Sequence, residues 1–228
     1  MIAGVDAPDF ERVPYQRSKQ LLIGHFGLLS VTRNLEEFLA ALEKFLAADS
    51  TRAASVRLHI YGGSMDAISA LAIENFPYPG VIEDKGRLEN DAVTGESGRL
   101  RVLKRMNEMD CLLLLHSTDA FCEEYIPSKY FKYLWTQRPV LGLIHSNPLL
   151  MEMLQEFDHW PAQNIAEIIH AFEELYRRWQ ADELNDRNTA SPYTTGNAVQ
   201  SIYDWVKQMQ TDPQGYDEID NLRLRDIH

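Results

Sequence analysis

Cysteine is scarce in this chain, with Cys111 and Cys122 the only two among 228 residues. Cys111 lies in an apolar run and Cys122 in the loop after it, a usage that excludes a disulfide framework and fits reduced thiols of a cytoplasmic protein. Long apolar runs are missing too. No stretch reaches the roughly 18 to 20 residues that cross a bilayer, and the start, Met1-Ile2-Ala3-Gly4-Val5-Asp6, has neither the basic nor the apolar segment of a signal peptide. Cations are outnumbered: 22 Lys and Arg stand against 34 Asp and Glu, a net charge of −12. That balance argues against nucleic acid as a partner, because affinity there comes from neutralising phosphates. A small anionic ligand stays open, since a few local cations and backbone amides suffice for one phosphate.

Familiar chemical signatures are absent as well. Gly24-His25-Phe26-Gly27 is not G-x-G-x-x-G, and no G-x-x-x-x-G-K-[ST] or G-x-S-x-G occurs. The histidines are scattered and the cysteines far apart, so no metal-ligand spacing appears and neither a metal nor a cofactor is expected. An acid cluster after the first strand, as a phosphoacceptor domain needs, is replaced by His-Phe-Gly. A self-contained catalytic triad is not indicated.

What the sequence does contain is an alternation of two periodicities, over a composition that is 45% apolar and 25% charged, ordinary for a soluble globular domain. Short apolar runs read as strands at residues 21–27, 56–61, 110–116 and 139–145, with a weaker one near Val81-Ile82. Between them lie helical patterns. Asn34, with Glu37 three residues on, reads as a capping box ahead of Leu35, Phe38, Leu39, Leu42, Phe45 and Leu46 on one face. Ser64 reads as the cap of a helix reaching Asn75, Pro127 as the first residue of a helix to Gln137, and Asn147-Pro148 as another start. Residues 84–98 read as a polar loop before a helix at 99–109. Strand alternating with helix predicts an α/β fold: a doubly wound, Rossmann-like, mostly parallel sheet with flanking helices and a C-terminal helical extension. The expected divisions are a linker and extension at residues 1–20, the Rossmann-like domain at 21–184, a crossover helix within 185–210, and a polar tail at 211–228.

Ligands of such sheets bind outside the carboxyl ends of the strands. Those ends carry His25-Phe26-Gly27, Gly62-Gly63-Ser64, His116-Ser117-Thr118 and His145-Ser146-Asn147. Small and polar groups converging from separate strands point to a nucleotide or sugar pocket built from backbone amides and a few side chains.

The run Pro127-Ser128-Lys129-Tyr130-Phe131-Lys132-Tyr133-Leu134, followed by Pro139-Val140-Leu141, resembles the donor-binding, C-terminal domain of retaining B-type glycosyltransferases (glycosyl transferases group 1, family 4-like), in the variant that reads P-S-K-x-F-E-Y-L-x-x-x-x-P-V-L. Three further stretches agree in order: Ile2 to Asp6 with Phe10 is similar to the interdomain linker, Ile23 to Gly27 with Arg33 to the first strand and loop, and Leu58 to Gly63 to the second strand and glycine turn. The resemblance covers residues 2–209 and implies a nucleotide-sugar-binding half of a hexosyltransferase-like enzyme. The donor would be a UDP- or GDP-linked sugar, and the isolated chain would be inactive without an N-terminal acceptor-binding domain. Any membrane-surface association would run through that other domain.

The candidate nucleotide-sugar-binding residues are Gly27, Gly62, Gly63 and His116 at the strand ends, with Ser128 and Lys129 in the P-S-K block; the resemblance adds Arg33, which falls where the family has a basic residue for the pyrophosphate. The companion basic position is Leu28, for which Lys129, in the first turn after Pro127, is a natural substitute. Of the family's two glutamates, the one near the sugar falls on Glu124, a candidate catalytic residue. The one that holds the ribose falls on Lys132, which cannot accept hydroxyl hydrogens as a carboxylate does. Glu123 could take over, the ribose contact could be lost, or the domain could be a degenerate, non-catalytic interaction module. Half of a sugar-nucleotide epimerase is a further alternative. The final helix, with Ala198, Ile202, Trp205, Val206 and Met209, matches the family's crossover helix.

Overall fold

The computed structural model describes residues 6, 11–184 and 191–211. The chain divides into two compact units, Asp9–Ala190 and the smaller Met1–Pro8 with Ser191–His228. The expected tail beyond residue 211 lies outside the described residues.

The larger unit is built on six parallel strands: β1 (Leu21–Phe26), β2 (Val56–Tyr61), β3 (Ile82–Asp84), β4 (Cys111–Leu115), β5 (Val140–Leu143) and β6 (Trp160–Ala162). Their order across the sheet is β3-β2-β1-β4-β5-β6. The order reverses between β1 and β4, so the chain leaves β1 toward one flank and returns through β4 toward the other. In open α/β sheets ligands bind outside the carboxyl ends of the strands near such a switch point.

Helices α1 (Glu36–Ala47), α2 (Arg52–Ser55), α3 (Ala67–Glu74), α4 (Gly98–Asn107), α5 (Ser128–Thr136) and α6 (Pro148–Glu156) join the strands, and α7 (Ile165–Gln180) follows β6. The two-residue period of a strand sends alternate side chains to opposite faces. Leu141 and Leu143 belong to the core beneath α1 and α7, whereas the hydrogen of Gly142 faces Leu154 of α6, 2.7 Å from where a Cβ would stand. The α1–α7 layer is closed by aromatic packing, with Phe172 against Phe38 (5.3 Å) and Phe45 (5.2 Å). Helix α7 places Ile168, Phe172, Leu175, Tyr176 and Trp179 in the core at helical spacing.

The expected α/β architecture and five of its strands are present. β6 was not anticipated, being three residues with Pro161 at its centre, tolerable because it is an edge strand. Three helix starts differ from expectation. The chain runs on past Ser64, and Asp66 caps α3 by accepting from the N–H groups of Ile68 and Ser69. At α1 the Asn34 side chain accepts from Glu36 N–H, while the buried Ser69 hydroxyl receives Leu35 N–H at 3.0 Å. Pro127 has extended backbone angles and precedes α5 as its N-cap, one position before the place predicted.

At the amino end of the sheet, residues 11–20 are fastened to the body. Asp110 accepts from Leu22 N–H (2.7 Å), Ser18 N–H (3.3 Å) and Tyr15 O–H (2.6 Å). Arg138, 1% exposed, donates to the carbonyls of Asn107 and Val13 and lies over the Tyr15 ring. The smaller unit contains α8 (Thr195–Thr211), whose first N–H donates to Asp6 Oδ1 at 2.9 Å. No helix among the described residues is long and apolar enough to cross a membrane.

Candidate functional site

A cavity of about 570 Å³ lies at the carboxyl ends of β1 and β2. Two glycines make its floor possible. Gly27 sits at φ 136°, a region that side chains disfavour, and a Cβ there would stand 2.6 Å from Lys129 Nζ. A Cβ on Gly62 would collide with the carbonyl oxygen of Gly27. The loops after β1 and β2 therefore touch backbone to backbone. Gly62→Ala should force them apart, costing about 1–2 kcal/mol of stability, read by denaturant unfolding.

Lys129 closes the cavity from the first turn of α5. Its Nζ is sealed from solvent and has no hydrogen-bond partner. Burial, with the Arg33 charge nearby, pushes this ammonium down to about 8. A buried, unpaired cation is costly, and here it points at the glycine turn, beside the amide-rich start of a helix. Both features suit an anion. Lys132, one turn on, lines the same cavity, so this helix face is not solvent-facing. With Arg87 and Arg99, four cationic side chains stand in the wall against one carboxylate, Glu89. In a chain of net charge −12 that is a local reversal of sign.

The opposite wall is the loop after β3, which the sequence showed only as polar. It is held in place by bonds from Gly62 N–H to Gly86 O (3.2 Å), Lys85 N–H to Ile60 O (2.8 Å) and Gly98 N–H to Asn90 Oδ1 (2.8 Å). Leu88, Glu89 and Asn90 face the cavity from this loop, and Val102 and Met106 from α4 supply apolar surface beside Tyr61. Phe26 stacks under Tyr61 with centroids 4.8 Å apart.

Arg33 is fixed by its Nε donating to Leu28 O at 3.2 Å, and Leu28 is itself part of the cavity wall. The structure thus brings Gly27, Gly62, Gly63 and Lys129 into one cavity, with Arg33 at its margin in a smaller one that also contains His116. Ser128 is exposed at the start of α5, and Glu124 is exposed on the loop after β4; neither lines either cavity. His25 is buried in the sheet with Nδ1 3.3 Å from Leu113 O. Burial, then the charges of Lys129 and Arg33, lowers its pKa to about 3, so it is neutral. Among the described residues no group of three His, Cys, Asp or Glu side chains is placed to hold a metal ion.

Protein-family models and curated protein sequences give no match to this chain. Solved structures do. A lipopolysaccharide outer core galactosyltransferase, WaaB, superposes with a TM-score of 0.58 at 14% identity, over 90% of this chain and 54% of its own. The fold is that of a B-type glycosyltransferase domain. The pneumococcal O-GlcNAc transferase GtfA, in complex with UDP and GlcNAc, gives 0.55 at 14% identity over 92% of this chain and 38% of its own. A point mutant of S. aureus TarM, also with UDP bound, gives 0.50 at 14% identity over 80% and 32%. This chain therefore spans from about a third to about half the length of these B-type transferases, and at such identities the likeness is one of fold.

Proposed function

We propose that this chain is the donor-binding half of a glycosyltransferase that takes its sugar from a nucleoside diphosphate sugar, UDP- or GDP-linked. The observation that carries the proposal is Lys129: a desolvated ammonium without a partner, aimed at the Gly27 turn from the start of α5. In this reading the diphosphate lies between Gly27, Lys129 and Arg33. The nucleoside occupies the space bounded by Gly62, Gly63 and the loop after β3, with Lys132 and Arg99 beside it.

The chemistry follows from charge. As the glycosidic bond to the diphosphate breaks, negative charge grows on the leaving oxygen, and a cation already in place stabilises that state without reorganisation. An acceptor would be held by a further domain, and the sugar would pass to it with retention of configuration. The chain alone would then bind donor and transfer nothing. Glu124, outside both cavities, has no part in this donor-binding step.

Calorimetric titration tests the proposal. One of UDP or GDP should bind with a dissociation constant below about 1 mM, and inorganic sulfate should compete. Absence of heat with both nucleotides at millimolar concentration would favour the non-catalytic interaction module instead, the reading to which Lys132 and Leu28 lend support.

A further inference from the structure

Helix α3 reads Ala-Ile-Ser-Ala-Leu-Ala-Ile-Glu, apolar except at Ser69 and Glu74. A helix with apolar residues on every side belongs in an interior, yet Ser69 is the one residue of α3 that is buried. The inner side is accounted for. Ala72 and Ile73 pack on the core, and the Ser69 hydroxyl accepts Leu35 N–H at 3.0 Å, which ties α3 to the start of α1. The outer side is not: Leu71 is 59% exposed, and Ala67 and Ala70 are exposed beside it.

A groove of about 500 Å³ runs between α1 and α3. One wall is the α3 stripe of Ile68, Leu71 and Ala72; the other is α1, with Ala40 between Glu36 and Glu43. Both carboxylates are exposed, and neither is in an ion pair among the described residues. No Lys or Arg lines the groove among those residues. With Leu71 more than half open to solvent, this is a trough, whereas small-molecule pockets enclose most of their ligand.

The geometry points to a docking site for a basic amphipathic helix of a partner protein, which lays large aliphatic side chains over Leu71 and sets Lys or Arg against Glu36 and Glu43. The small side chains of Ala40, Ala67 and Ala72 admit a third helix at the roughly 8–10 Å spacing of packed helices. An extended peptide would need a sheet edge to pair its backbone groups, and this groove lies between two helices. A second copy related by two-fold symmetry would set the acidic groove against itself. The chain's own α8 has Lys207 balanced by Asp204 and brings no excess of cations. The groove shares no lining residue with the cavity at Gly27, so a partner helix and a nucleotide would not compete for it.

The test is fluorescence anisotropy with two synthetic helical peptides of about four turns, each with leucine on one face and either lysine or glutamate on the other. The leucine–lysine peptide should bind the wild-type chain with a dissociation constant below about 100 μM at low salt, and the leucine–glutamate peptide should not bind. Leu71→Ser should weaken the lysine peptide about tenfold and Glu43→Lys about fivefold. Both side chains are exposed, so the fold should be kept. Glu156→Lys, an exposed position on α6 outside the groove, should change binding less than about twofold. Binding that ignores Leu71→Ser, or that falls equally with Glu156→Lys, is diffuse attraction to an acidic chain and overturns the docking site. Equal binding of the two peptides, or none of the lysine peptide at about 1 mM, overturns it on the wild-type chain alone, even if a variant fails to fold.

Discussion

Lys129→Met should make the protein more stable and nearly unable to bind a nucleoside diphosphate. Removing a desolvated ammonium that has no partner relieves about 1–2 kcal/mol, seen as a rise in melting temperature of roughly 2–8 °C for a domain of this size. The same change deletes the cation at the Gly27 turn, and a lost charge-assisted contact weakens binding by about 10- to 100-fold. The pH dependence has a matching sign. The ammonium titrates at about 8 in the fold against 10.5 for the free side chain, so between those values the unfolded chain binds more protons than the folded one. Stability of the unliganded protein should therefore rise across pH 8 to 10.5, while diphosphate affinity falls as Lys129 loses its charge. Both trends should flatten in Lys129→Met. Calorimetry and thermal unfolding at pH 7, 8.5 and 10 would check all four values, and loss of stability in the variant would mean that Lys129 is a structural residue.

Asp110→Ala should have the opposite profile, a large loss of stability with the Gly27 crevice untouched. The carboxylate takes hydrogens from Leu22, Ser18 and Tyr15 at the amino end of β1 and β4, and it is buried. Truncation leaves two backbone N–H groups and a phenol without an acceptor, a cost of about 3–4 kcal/mol, or a fall of roughly 6–16 °C in melting temperature. Tyr15→Phe removes only one of the three bonds and should cost about 1 kcal/mol. Because these groups lie at the end of the sheet remote from Gly27, any diphosphate affinity measured below the transition should stay within about twofold of wild type. A larger change in affinity would show that the amino-end tie and the crevice are coupled.

The architecture could be read from the sequence because buried parallel strands are apolar throughout and their helices are apolar on one face; Cys111 to Leu115 and the α7 stripe left little choice. Trp160–Ala162 could not, since three residues around a proline carry no periodicity and become a strand only by lying beside Leu141 to Leu143. Caps were legible as a type of residue and not as a position: Ser64 and Asp66 both suit the start of α3, and the path of the chain decides between them. In the site, Lys129 was legible because the start of a helix already favours an anion. That Lys132 shares its cavity follows from three-residue spacing on α5, yet only the packing of α5 beside α4 shows that this face is turned inward. Leu88, Glu89 and Asn90 gave no signal at all, because a loop's composition says nothing about which cavity it will border.

Residues 86–97 form a cavity wall that contains neither strand nor helix and is moored by a few backbone and side-chain bonds to β2 and α4. The glycine turn and the start of α5, by contrast, are positioned by the sheet itself. On the donor-binding reading, the diphosphate would rest on this fixed side and the base would face a loop. Grafting a different stretch between Gly86 and Asn90, with both of those residues kept for their bonds to Gly62 and Gly98, would then alter base preference more than diphosphate affinity.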